Sequence, residues 1–158
     1  MINPSSHLFN FDAVFFGGLM LFLMLIFHAV YNYLVINAYQ KVSRKFILAK
    51  KFRYTLLLFY GLSFVLVGSH LAEIFIWGTT LFYSGLVPNF DQAILFSGSA
   101  YTTVGYGAIP LPIGWDLLMV FIALDGMIAF GWTIVNLSSM QRTVHVARRL
   151  AKSDGYFM

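Results

Sequence analysis

The chain has 158 residues, of which 10 are basic and 6 acidic, while 59% are hydrophobic and 18% aromatic. So few charges cannot cover a water-facing surface, which in soluble domains is about a quarter charged. An ordinary soluble enzyme and a nucleic-acid binder are excluded despite a pI near 9.4, as is a disordered chain, which needs low hydrophobicity; the lack of cysteine excludes a disulfide framework, a thiolate metal site and a cysteine nucleophile.

From Ala13 to Gln40 there is no Asp, Glu, Lys or Arg over 28 residues. A bilayer is crossed by about 20 apolar residues, so an N-terminal segment 1–40 is predicted to hold a transmembrane helix over about 13–37. No basic residue precedes it, and it exceeds the roughly 7–15 residues of a signal-peptide core, so it reads as a retained span. His28, in mid-span, reads as an interhelical hydrogen-bonding residue rather than a pH sensor.

Lys41, Arg44, Lys45, Lys50, Lys51 and Arg53 follow, in a basic loop at 41–53. A second apolar helix is predicted over 55–82, interrupted only by Glu73, with His70 one turn earlier on the same face. A third is predicted over 113–138, with Asp116 and Asp125 inside it. The remaining basic residues, Arg142, Arg148, Arg149 and Lys152, lie in a short tail at 139–158. The positive-inside rule places loop and tail in the cytoplasm of the cell membrane and the N-terminus outside. Anionic lipid headgroups are the expected partners of both segments. The loop charges, spaced 3, 1, 5, 1 and 2 residues apart between spans, do not form the regular in-helix array of a voltage sensor. Arg142, His145, Arg149 and Lys152 share one helical face, which fits either anionic lipid or solvent.

Residues 83–112 would then lie on the outer side, yet they are apolar and contain Pro88, Pro110, Pro112 and several glycines. Asn89 with Gln92 three residues later is a capping-box variant, which predicts a short helix over 90–102. Thr103-Val104-Gly105-Tyr106-Gly107 follows directly. Irregular backbone at membrane depth survives only where it is buried in protein or lines a water-filled path, so the segment reads as a re-entrant helix and loop. Gly105 and Gly107 permit backbone angles closed to other residues. The helix aims its partially negative C-terminal end inward, which favours a cation. Successive carbonyls can then replace a cation's water shell, and the Thr103 hydroxyl can complete the innermost ring.

The run Thr103–Gly107 resembles the selectivity-filter signature of potassium channels. The order of outer helix, pore helix, filter and inner helix over 54–138 is similar to that family's pore domain, and Gly126 with Phe130-Gly131 resembles its inner-helix hinge region. The stretch His70–Ile74 resembles one in bacterial members. The resemblance implies an all-α integral membrane protein with three transmembrane helices and a re-entrant pore helix and filter. One copy per chain implies a homotetramer around a single pore, with K+ held at Thr103, Val104, Gly105 and Tyr106. It implies that Met127, Phe130 and Ile134, on one face of the inner helix, line the cavity. It further implies no enzyme activity and no cofactor beyond the permeant K+. Ala108, Phe96 and Ser99 depart from the Asp, Trp and Glu that relatives often carry there, so the polar clamp behind the filter is different or missing. The first helix lies outside this pattern and is expected to pack peripherally.

His70, Glu73 and Asp125 fall at similar depth, near the filter base or pore helix, and two readings stay open: a polar network behind the filter, or an ion-binding or rectifying site. Ser97 and Ser99 are further potential partners of Asp125. As a metal site, His70 and Glu73 supply only two ligands. Two other functions are weighed against a potassium-selective channel. A potassium-transporter subunit built from the same pore module usually carries four degenerate repeats; a membrane-embedded hydrolase using His70, Glu73 and Asp125 leaves the filter sequence unexplained.

Overall fold

The structure is a computed structural model, and it describes residues 10–105, 109, 111–153 and 155. Among these the chain forms four helices and no strand: α1 (Phe11–Leu48), α2 (Phe52–Tyr83), α3 (Phe90–Tyr101) and α4 (Leu117–Ser153). Helices α1, α2 and α4 are each long and apolar enough to cross a membrane, whereas α3 has 12 residues. The protein is therefore an all-α membrane protein.

The spans are where the apolar runs put them, but the helices are longer. Of the basic loop, only residues 49–51 lie outside helix; Lys41, Arg44 and Lys45 close α1 and Arg53 sits in the first turn of α2. The tail likewise continues α4 to Ser153. The physical reason is that charge ends an apolar run without ending a helix, since Lys, Arg and Gln are good helix formers. At its other end α4 begins at Leu117, four residues after the expected start at Ile113. Here a turn intervenes, with Gly114 at φ 88° and the Trp115 amide bonded to the Pro112 carbonyl at 3.0 Å.

The chain divides into two compact units, one made of Met1–Phe27 and His70–Ala129, the other of His28–Ser69 and Phe130–Met158. In the first, α3 packs among the other helices through Ala93, Phe96, Ala100 and Tyr101, against a core that includes Trp77, Leu81, Leu118 and Ile122. The approach of α2 to α3 is close enough to need a glycine: a Cβ on Gly78 would stand 2.9 Å from the Ile94 Cα.

The second unit has a polar seam of its own. His28, Asn32 and Thr133 are buried. The Asn136 amide donates to Asn32 Oδ1 at 2.9 Å, joining α4 to α1, and Asn32 Nδ2 donates back to the His28 carbonyl, also at 2.9 Å. A His28 ring nitrogen lies 3.4 Å from the Thr133 hydroxyl, so His28 does bridge two helices. Tyr31 donates to the Val65 carbonyl of α2, and Tyr39 to the Met140 carbonyl of α4, each at 2.9 Å. Beyond them Phe52 packs on Ala147 and Ala151. These alanines occupy one face of the α4 extension, while Arg142, His145, Arg149 and Lys152 are exposed.

Candidate functional site

Helix α3 starts as its sequence dictates. Asn89, in extended backbone at φ −120° and ψ 129°, accepts from the amides of Asp91 and Gln92 at 3.0 and 3.3 Å. Asp91 in the first turn adds a negative charge at the positive end of the helix.

The exit from α3 is tighter. The Thr103 amide bonds to the Ala100 carbonyl at 3.0 Å, and the Val104 amide to the Ser99 carbonyl at 3.1 Å. This pair of bonds is the Schellman arrangement, which normally places glycine in the left-handed position after the cap. Here that position is Thr103, at φ 58°. A β-branched residue in this region carries strain of order 1–3 kcal/mol, which surrounding structure must offset. Gly105, at φ 70°, meets no such cost, and its amide also turns back to Ser99 at 3.4 Å. The amides of Thr103, Val104 and Gly105 are thus all directed onto α3. Among the described residues no backbone amide donates to the carbonyls of Thr103 or Val104. Those oxygens stand at the negative end of a helix dipole, where a cation is favoured. Tyr106 and Gly107, the last two residues of the filter run, lie outside the described residues, as does Ala108.

Behind this exit lies a buried polar network. His70, Glu73 and Asp125 are all buried. Glu73 accepts from the Tyr101 hydroxyl at 2.6 Å, and His70 Nδ1 lies 2.8 Å from the same hydroxyl. Asp125 Oδ2 accepts from the Trp77 indole at 2.7 Å. The carboxylate of Asp125 is therefore turned into protein, onto α2. The cited bonds form two groups, Glu73 and His70 on Tyr101 and Asp125 on Trp77; the sequence pointed to neither Tyr101 nor Trp77 as their partner, and Trp77 read instead as a residue of the outer aromatic belt. Ser97, weighed above as a partner for Asp125, is buried with its hydroxyl unpartnered among the described residues. One signal for Trp77 was available: it falls at the same helical phase as His70 and Glu73, four residues beyond Glu73.

Gly126 follows Asp125. A Cβ there would collide with the Tyr101 carbonyl oxygen and stand 2.9 Å from its carbon. The glycine expected as a hinge is thus the point where α4 meets the end of α3, and α4 is continuous helix through it. Met127, Phe130 and Ile134 are 54%, 41% and 63% exposed in the single chain. They present an apolar strip on the side of α4 away from Asp125 and Ala129, both fully buried.

No curated protein and no solved structure matches the chain. A family model described as "Ion channel" matches residues 69–142. That stretch contains the buried network, α3, the filter run and the membrane-spanning part of α4. Over residues 69–142, a little under half of its length, this membrane protein is thus similar to the ion-channel family.

Proposed function

We propose that the protein is a potassium-selective channel that conducts K+ passively through a central pore formed by four copies of the chain. The observation that carries this reading is the run Thr103–Gly107 at the negative end of α3, between two membrane-spanning helices. Carbonyls of Thr103, Val104, Gly105 and Tyr106 would coordinate dehydrated K+, with Gly107 closing the run. Backbone atoms do this work, so the protein needs neither a catalytic group nor a cofactor. Met127, Phe130 and Ile134 would line the cavity below, and Gly126 would sit beside the filter base. The two basic segments support an orientation with the C-terminus cytoplasmic and the N-terminus outside, in the cell membrane, with anionic headgroups around them.

The test is the reversal potential of purified protein in bilayers with mixed potassium and sodium. Potassium and rubidium should permeate far better than sodium, and barium should block. Equal permeability for potassium and sodium would remove the potassium assignment, and absence of current would remove the channel itself.

A further inference from the structure

Tyr101 is gripped from two sides. Its ring is fully buried, and its hydroxyl meets two residues of α2, Glu73 at 2.6 Å and His70 at 2.8 Å. A phenol has a single proton. With that proton on Glu73, the second contact requires His70 Nδ1–H as donor, which fixes the imidazole tautomer. The main chain of Tyr101 is held by the other helix, because Gly126 of α4 lies against its carbonyl with no room for a Cβ. Side chain to α2 and backbone to α4, Tyr101 is thus immobilised as the last residue of α3. Two residues later Thr103 sits in left-handed backbone that needs support from its surroundings. A displacement of Tyr101 would be transmitted through Thr102 to the first filter residue.

We infer that Tyr101 is a positioning residue for conduction: its hydroxyl, bonded to Glu73 and His70, holds the inner end of the filter in its conducting geometry. The inference rests on the reading of Thr103–Gly107 as a filter. It assigns a task to a side chain that points away from the ion path, and it makes Glu73 and His70 anchors rather than ion ligands.

The experiment is single-channel recording of the full-length protein in bilayers, with oligomeric state in detergent as a parallel readout. Tyr101→Phe keeps the ring and removes the hydroxyl; the mean open time should shorten about tenfold, the usual scale for losing a buried hydrogen bond, while the oligomer persists. Glu73→Ala should do the same. Glu73→Gln, which keeps a carbonyl acceptor for the phenol, should stay close to wild type. The double variant Tyr101→Phe/Glu73→Ala should be no worse than Tyr101→Phe alone, since the bond between them can be lost only once. An unchanged or lengthened open time in Tyr101→Phe, or fully additive effects in the double variant, would overturn the inference. Should Tyr101→Phe fail to assemble, Glu73→Gln against Glu73→Ala decides: equal open times overturn it, a rescue by Gln supports it. A wild type without potassium-selective current removes the filter reading and this inference together. Selective wild-type current with an indifferent Tyr101→Phe removes this inference alone.

Discussion

Two regions of the molecule hold the same long helices by different chemistry. In the unit containing α3, helix contacts are made by groups that bear or bind charge: Glu73 and His70 on Tyr101, Asp125 on Trp77. Backbones there also approach closely, at Gly78 and Gly126. In the unit containing the basic helix ends, contacts are made mostly by amides, hydroxyls and carbonyls, as in Asn32–Asn136 and Tyr39–Met140, with His28 beside Thr133 as an ionisable member. Buried ionisable groups are costly in a membrane, are rare there and mark functional sites. Amide pairs supply modest adhesion that tolerates replacement. The difference implies that precision is concentrated around the end of α3, and that the remainder of the bundle serves mainly as a frame.

Substitutions in the two regions should therefore separate widely. Gly126→Ala should have the largest effect, because the new Cβ meets backbone rather than a flexible side chain; about 3 kcal/mol or more is expected from overpacking of this kind. Loss of assembled protein in size-exclusion chromatography checks it. A variant that assembles normally and merely opens more slowly would favour the hinge role expected of Gly126 over a packing role. Next in size, Trp77→Phe leaves Asp125 Oδ2 without its indole donor, at a cost of about 1.5–3 kcal/mol, read as thermal stability of the oligomer in detergent. Asp125→Asn still presents an acceptor to Trp77 and should cost less. Because that carboxylate is buried against α2, block by internal magnesium and polyamines should be unchanged in Asp125→Asn. Weakened block with intact stability would place Asp125 in the cavity instead. Asn32→Ala, in the polar seam of the second unit, should cost only about 0.6 kcal/mol and leave ion selectivity untouched. A loss as large as that of Trp77→Phe would erase the contrast between the two regions. The smallest effect on stability is expected for Met127→Cys, Phe130→Cys and Ile134→Cys, which should still make the current sensitive to internal thiol reagents. The native chain has no cysteine, so the background is clean; insensitivity at all three would mean that this strip of α4 faces away from the pore.

What could be read from the sequence follows from how local each signal is. The Asn89 cap is a side chain bonding amides two and three positions on, so it was legible. The three spans were legible from the spacing of charges. Helix ends were not, because Lys41, Arg44 and Lys45 suit a helix as well as a loop, and only the turn at 49–51 stops α1. Which polar side chains meet was only half legible. His70, Glu73 and Asp125 stand out as ionisable groups in apolar runs. Tyr101 does not, in a chain with 9 Tyr, and Trp77 stands out only as an outer-interface aromatic, because the bonds they make depend on a helix-to-helix rotation that no local pattern encodes. Gly126 was noticed for its place in the inner helix, but the reason for it, the nearby Tyr101 carbonyl, is a contact between residues 25 apart in sequence.

The connection between α1 and α2 is only residues 49–51, with Lys50 in left-handed backbone at φ 57°. Fully extended, three residues reach about 10 Å, little more than the spacing of two packed helices at about 8–10 Å. Within an assembly of several copies, such a link leaves the first helix no route to a neighbouring subunit. It must enter the bilayer as a hairpin with its own α2, an arrangement consistent with the Tyr31–Val65 bond between them. In mixed assemblies of wild-type and altered chains, a defect in the first helix would therefore act on the α2 of the chain that carries it.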